Sequence, residues 1–207
     1  MRTLFAAALS LAWPINLALA QTDLVAGERL YEVCAGCHGF SGEGNALVNA
    51  PKLAGLEPWY LAGQIRKFGA GVRGAAEGDT HGRRMAVMAG ALANDRAIDD
   101  VVAYVGTLPP VSSPASVDGD AQAGRALFAT CAACHGMNGS GSAVLGAPGL
   151  AGLEDWYLVE QLRLFADGLR GAHPDDTGGS QMRAIAASFA DEQTRRNLAA
   201  FIATLQP

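Results

Sequence analysis

The second half of this 207-residue chain repeats its first half. Cys34-Ala35-Gly36-Cys37-His38 returns as Cys131-Ala132-Ala133-Cys134-His135, an offset of 97 positions (131 − 34). The same offset carries Pro51 to Pro148, Leu53-Ala54-Gly55-Leu56-Glu57 to Leu150-Ala151-Gly152-Leu153-Glu154, and Trp59-Tyr60 to Trp156-Tyr157. It also carries Phe68 to Phe165, Arg73-Gly74 to Arg170-Gly171 and Met85 to Met182. Roughly four in ten positions agree between Leu24–Pro110 and Ala121–Pro207, and two copies of so long a repeat mean tandem domains rather than a solenoid. Domains at 21–108 and 121–207 are expected. Residues 109–120 join them, and Pro109, Pro110 and Pro114 favour an extended, semi-stiff connector. It is short, so the domains must stay close.

C-x-x-C-H is the attachment motif of a c-type haem. On one helical turn Cys34 and Cys37, or Cys131 and Cys134, face the same way and can both bond the porphyrin, with His38 or His135 set to ligate the iron. A zinc site would need further Cys or His at ligand spacing, but the two motifs hold all 4 cysteines of the chain. A structural disulfide would not require the histidine in both copies, and a thioredoxin-like pair would require a βαβ context. Two covalently bound haem c groups are therefore expected.

Composition agrees. Only 7% of the residues are aromatic, thin for two domains of under a hundred residues each, and a haem in each supplies the missing apolar core. Arg2, the apolar run Leu4–Leu19 broken by Pro14, and Ala18-Leu19-Ala20 read as a cleavable signal peptide over 1–20. The run is too short and interrupted to span a bilayer comfortably. Export suits the haem motif and predicts a periplasmic protein. The net charge of −5, with sparse Lys and Arg, provides no footprint for nucleic acid. It suits docking to a redox partner with a basic patch.

The apolar period within each unit is helical. Val101, Tyr104, Val105 and Leu108, and Leu198, Phe201, Ile202 and Leu205, fall at i, i+3, i+4 and i+7. Leu61, Ile65 and Phe68, with Leu158, Leu162 and Phe165, mark a second helix, and Leu30-Tyr31 and Leu127-Phe128 a third. Asn94 and Asp191 are expected N-caps of the final helices. No segment alternates as a strand, so each unit reads as small, all-α and loop-rich.

A ligand built into the repeated unit should occur in both copies, and Met85 and Met182 are the only methionines so paired. Met88 competes in the first unit, but its counterpart is Ile185. His81 and His173 map to Gly178 and Ala76 and are read as exposed histidines of polar loops, and Met137 lies too close to His135 to cross the haem. A neutral thioether opposite a histidine raises a haem's potential. With both axial positions filled, the iron has no vacant place for substrate, which favours electron transfer over catalysis. Trp59, Tyr60 and their counterparts are read as core aromatics. Alternatively their polar atoms, or Arg73 and Arg170, hold haem propionates. The Gly-rich loops lack G-K-[ST], and no Ser/His/Asp or paired-carboxylate arrangement is recoverable.

Two C-x-x-C-H units, each followed by P-x-L-x-G-L, an aromatic pair, F-x-x-G-x-R-G and a methionine before the last helix, resemble the dihaem cytochrome c4 family. Each half is similar to a class I cytochrome c domain of the c553/c4 type. The resemblance covers Leu24 to Pro207. It implies His–Met ligation, here His38 with Met85 and His135 with Met182, and haem edges close together with propionates near the domain interface. It implies that the carbonyls of Pro51 and Pro148 orient the proximal histidines. It further implies a periplasmic electron carrier, not itself an enzyme, between respiratory-chain donors and a terminal oxidase or reductase. The chain departs from the family in its short linker, its closely similar halves, and the confinement of His81 and Met88 to the first. The alternative is a haem subunit of a periplasmic flavoprotein sulfide dehydrogenase or alcohol dehydrogenase. An enzyme in its own right, such as a dihaem thiosulfate dehydrogenase or a peroxidase, would need a labile or non-Met ligand.

Overall fold

A computed structural model describes residues 22–206. The segment read as a signal peptide, 1–20, lies outside them. Eight α-helices follow in order: α1 Leu24–His38, α2 Pro58–Gly69, α3 Thr80–Gly90, α4 Asp95–Val105, α5 Ala121–His135, α6 Asp155–Ala166, α7 Thr177–Ala186 and α8 Glu192–Ile202. Single 3-10 turns occur at Ala46–Val48, Ala143–Leu145 and Ala187–Phe189. Among the described residues there is no strand, only isolated bridges from Asn45 to Ala50 and from Ser142 to Ala147. The fold is all-α and built twice.

Local chemistry sets the helix ends. Asp23 and Asp120 cap α1 and α5, each carboxylate accepting two backbone N–H groups that the first turn leaves without partners. Asn94 and Asp191 cap α4 and α8, as expected from the sequence. Helices α1 and α5 stop immediately after their histidines, where Gly39 and Gly136 take φ of 81° and 80°. The haem motif thus occupies the last turn of a helix in both copies.

Within each domain the first helix packs on the last, α1 on α4 and α5 on α8. Gly27 and Gly124 lie at these crossings: a Cβ on either would collide with a backbone carbonyl oxygen, that of Asp100 or that of Asn197. The first core gathers Tyr31, Leu61, Ile98, Val101, Val102 and Val105; the second gathers Phe128, Leu158, Leu162, Phe165, Leu198 and Ile202. Helices α4 and α8 end three residues earlier than the apolar period suggests, and Leu108 and Leu205 pack on the cores from beyond the last turn.

The sequence reading finds three helices in each unit, whereas the structure has four. Helices α3 and α7, which carry Met85 and Met182, are the additional pair. The connector, which carries neither helix nor strand, is held from both sides. Lys52 Nζ donates to the Val111 carbonyl (2.9 Å), while Asp155 of α6 accepts from Ser116 N–H, Ser116 Oγ–H and Val117 N–H at 2.6–2.8 Å.

Candidate haem sites

At the end of α1, Cys34 is partly buried, Cys37 is exposed and His38 is only 5% exposed; α5 repeats the arrangement with Cys131, Cys134 and His135. His38 Nδ1 lies 2.6 Å from the Pro51 carbonyl oxygen and His135 Nδ1 lies 2.7 Å from that of Pro148. A carbonyl only accepts, so each Nδ1 carries the proton and each Nε2 keeps its lone pair free. Burial lowers both imidazole pKa values, with the Pro51 bond opposing it at His38 and Pro148 and Glu57 opposing it at His135. Two neutral histidines therefore present an unprotonated ring nitrogen. Burial also raises the neighbouring thiols, Cys131 to about 11.

A cavity opens over the first motif, lined by Cys34, Cys37 and His38 on the α1 side and by His81, Met85 and Met88 on the α3 side. Positions 81, 85 and 88 are spaced i, i+4 and i+7, so one stripe of α3 faces the cavity. Met85 is half-buried and Met88 36% exposed. His81, read from sequence as an exposed loop residue, lies instead in α3, half-buried, with a buried Nδ1 that has no hydrogen-bond partner. The signal was present but unused: His81 stands four residues before Met85. His173 does lie in a loop, where its Nδ1 accepts from the Asp175 N–H. In the second domain Cys131, Met182 and Leu150 pack, partly buried, around the core of Phe128, Leu158 and Phe165. There Gly178 and Ile185 occupy the stripe positions flanking Met182.

The aromatic pairs belong to the boundary between the domains. Trp59 is 40% exposed and Tyr60 reaches the other domain, so the reading of these residues as core does not hold for them. Arg170 donates to Tyr60 Oη, Gln64 and Gln161, and Arg73 donates to Tyr157 Oη, Gln161 and Gln64. Each guanidinium also stacks on its own domain's phenyl ring at 4.4 Å, Arg73 on Phe68 and Arg170 on Phe165. Burial pushes the Tyr60 phenol up, but the guanidiniums of Arg170 and Arg73 outweigh it and hold the phenol below its ordinary value. Beside this network Lys67 pairs with the buried Asp176 across the boundary (2.5 Å). The cavity of the first motif continues to this boundary, where Leu153, Trp156, Tyr157 and Gln161 of the second domain line it.

These residues fit a covalently held haem. Paired thiols and a free imidazole nitrogen open onto an apolar cavity whose far wall carries a thioether. Arg73 and Arg170 are both 7% exposed, and among the described residues no carboxylate is hydrogen-bonded to either guanidinium. The Arg73 Nε has no partner at all. Buried cations without a bonded anion are costly, and the propionates of a haem are anions of the right kind.

A duplicated all-α domain that ends its first helix on C-x-x-C-H in both copies, the first of them opening onto such a cavity, defines a dihaem c-type cytochrome. The family model for cytochrome c matches the chain twice, over residues 24–109 and 121–206. The chain is 34% identical over 189 residues to cytochrome c4 of Azotobacter vinelandii, covering 86% of this chain and 87% of that one. It belongs to the cytochrome c4 family. The structure of reduced cytochrome c4 from Pseudomonas stutzeri superposes with a TM-score of 0.68 at 29% identity, covering 90% of this chain and all of that one. Thiosulfate dehydrogenase TsdBA of Marichromatium purpuratum superposes with a TM-score of 0.71 at 35% identity over 89% of this chain. The present chain spans only 40% of that protein's length. The protein is thus a dihaem electron-transfer protein carrying two haem c groups, attached through the motifs at Cys34/Cys37 and Cys131/Cys134.

Proposed function

We propose that the protein carries electrons in the periplasm between respiratory-chain donors and a terminal oxidase or reductase. His38 with Met85 and His135 with Met182 would ligate the irons of its two haems. The haem supplies the one-electron iron couple; the chain holds, orients and insulates it. The observation that carries the reading is that the first cavity runs from His38 and Met85 to the domain boundary, where Tyr157 and Gln161 of the second domain line it. Arg73 and Arg170 meet there through shared glutamines and would hold haem propionates. Electrons then enter one domain and leave from the other without a diffusional step. Val48 and Met88 line the cavity and are partly exposed, and Leu47 beside them is 94% exposed, which gives a partner an apolar contact near the haem edge. Among the described residues no helix is long and apolar enough to cross a membrane.

A second reading, the electron-accepting unit of a periplasmic dehydrogenase, is favoured by the 35% identity with thiosulfate dehydrogenase TsdBA. Purifying the untagged protein from its own periplasm and membranes separates the two. The carrier predicts a free dihaem monomer that is oxidised rapidly by membranes containing a terminal oxidase. A dehydrogenase co-purifying in fixed ratio overturns the carrier in favour of the subunit.

A further inference from the structure

Glu57 and Glu154 occupy the N-cap positions of α2 and α6, yet neither side chain caps its own helix. Both cross to the other domain. Glu154 Oε1 accepts from the backbone N–H of Lys52 at 2.8 Å, and Glu57 Oε1 accepts from the backbone N–H of Gly149 at 2.7 Å. The Lys52 N–H belongs to the same peptide unit as the Pro51 carbonyl, which accepts from His38 Nδ1. The Gly149 N–H belongs to the same unit as the Pro148 carbonyl, which accepts from His135 Nδ1. Each domain therefore sends a carboxylate to the far side of the one peptide that orients the other domain's histidine.

We propose that Glu154 and Glu57 are reciprocal positioning residues, through which each domain sets the reduction potential of the haem held by the other. A peptide whose N–H donates to a carboxylate is polarised, and its carbonyl oxygen becomes a stronger acceptor. The Nδ1–H bond of the histidine strengthens in turn, more electron density reaches Nε2, and the ferric state is favoured. Each carboxylate thus lowers the potential of the haem in the opposite domain. The two relays are unequal. Lys52 places its ammonium in the field of Glu154, whereas its counterpart Gly149 brings no charge. Glu57 therefore acts more strongly on the second haem than Glu154 does on the first.

The inference rests on His38 and His135 being the proximal ligands, as proposed above. The test is a redox titration of the full dihaem protein followed by NMR, with the second haem's signals assigned through Met182→Leu. Glu57→Gln keeps the size and an acceptor oxygen but removes the charge. It should raise the potential of the second haem, shift the His135 Nδ1 proton and leave the first haem in place. Glu154→Gln should do the converse by a smaller amount. Lys52→Met removes the offsetting charge while keeping the stem, and it should lower the potential of the first haem. A carboxylate that merely staples the interface would not give opposite signs for Glu154→Gln and Lys52→Met. If the potentials of the opposite haems stay put, or the haem of the mutated residue's own domain moves instead, the inference is overturned while the ligation stands. If the wild-type spectrum shows no low-spin histidine-ligated haem, the ligation reading fails and takes the inference with it.

Discussion

A carbonyl oxygen cannot donate a hydrogen bond, and that decides which nitrogen of His38 and His135 is free for iron. The choice of sixth ligand is less constrained in the first domain. His81, Met85 and Met88 share one stripe of α3 and all line the cavity, while Met182 stands between Gly178 and Ile185. The residues therefore differ in what happens when the methionine sulfur is removed. Met182→Leu nearly conserves volume and should cost less than about 1.5 kcal/mol of stability. It leaves the second haem five-coordinate, so its spectrum should turn high-spin and its potential fall; an unchanged spectrum would rule out Met182 as the ligand. Met88→Leu should leave the first haem low-spin with its thioether signature intact, and loss of that signature would transfer the role from Met85 to Met88.

At the scale of the element, the close crossing of α1 with α4 and of α5 with α8 turns on a single missing side chain in each domain. Gly124→Ala would drive a methyl group into the Asn197 carbonyl. It should destabilise the second domain by roughly 1–3 kcal/mol, the usual range for overpacking. Thermal unfolding of the holoprotein measures this, and an unchanged midpoint would mean that the crossing is looser than the structure has it. Helices such as α4 and α8 were legible in the sequence because their apolar stripes face protein, and protein cores select Val, Ile and Leu. Helix α3 was not, because its inner stripe of His81, Met85 and Met88 faces a cofactor cavity and selects ligands and small residues instead. The same logic hid the roles of Glu57 and Glu154. The repeat marks both as part of the shared unit, but nothing in the local sequence shows how far a glutamate side chain before a helix reaches. Only the packing of one domain on the other shows that its partner is a distant peptide. The aromatic pairs likewise share helical spacing with core residues, and spacing along one helix does not distinguish the inside of a domain from the face it presents to a second domain.

The whole molecule is two similar halves that recognise each other through nearly equivalent contacts, with a strap that breaks the equivalence. Pro58 opens α2 but Asp155 opens α6, and only the aspartate can bind the connector. Its carboxylate is 2% exposed and accepts from Ser116 and Val117. Burial alone would raise its pKa, but the Ser116 hydroxyl and the Val117 and Ser116 amides outweigh burial and hold it below the ordinary carboxylate value. A carboxylate depressed in the folded state contributes stability above its unfolded pKa of about 3.9, and that contribution is lost as pH falls through the lower folded value. Its neighbour Glu154 has the opposite sign. Burial raises the Glu154 pKa despite the Lys52 amide, so acidification relieves a cost there. Asp155→Asn should therefore remove about 2 kcal/mol at neutral pH, the scale of a charge-assisted hydrogen bond lost from a buried site. The gap between variant and wild type should narrow as pH falls from about 4, where the unfolded chain protonates Asp155, towards the lower pH at which the folded protein does. Denaturant unfolding of both holoproteins at neutral and acidic pH reads this directly. An equal loss at both pH values would mean that the strap is held by shape rather than by charge.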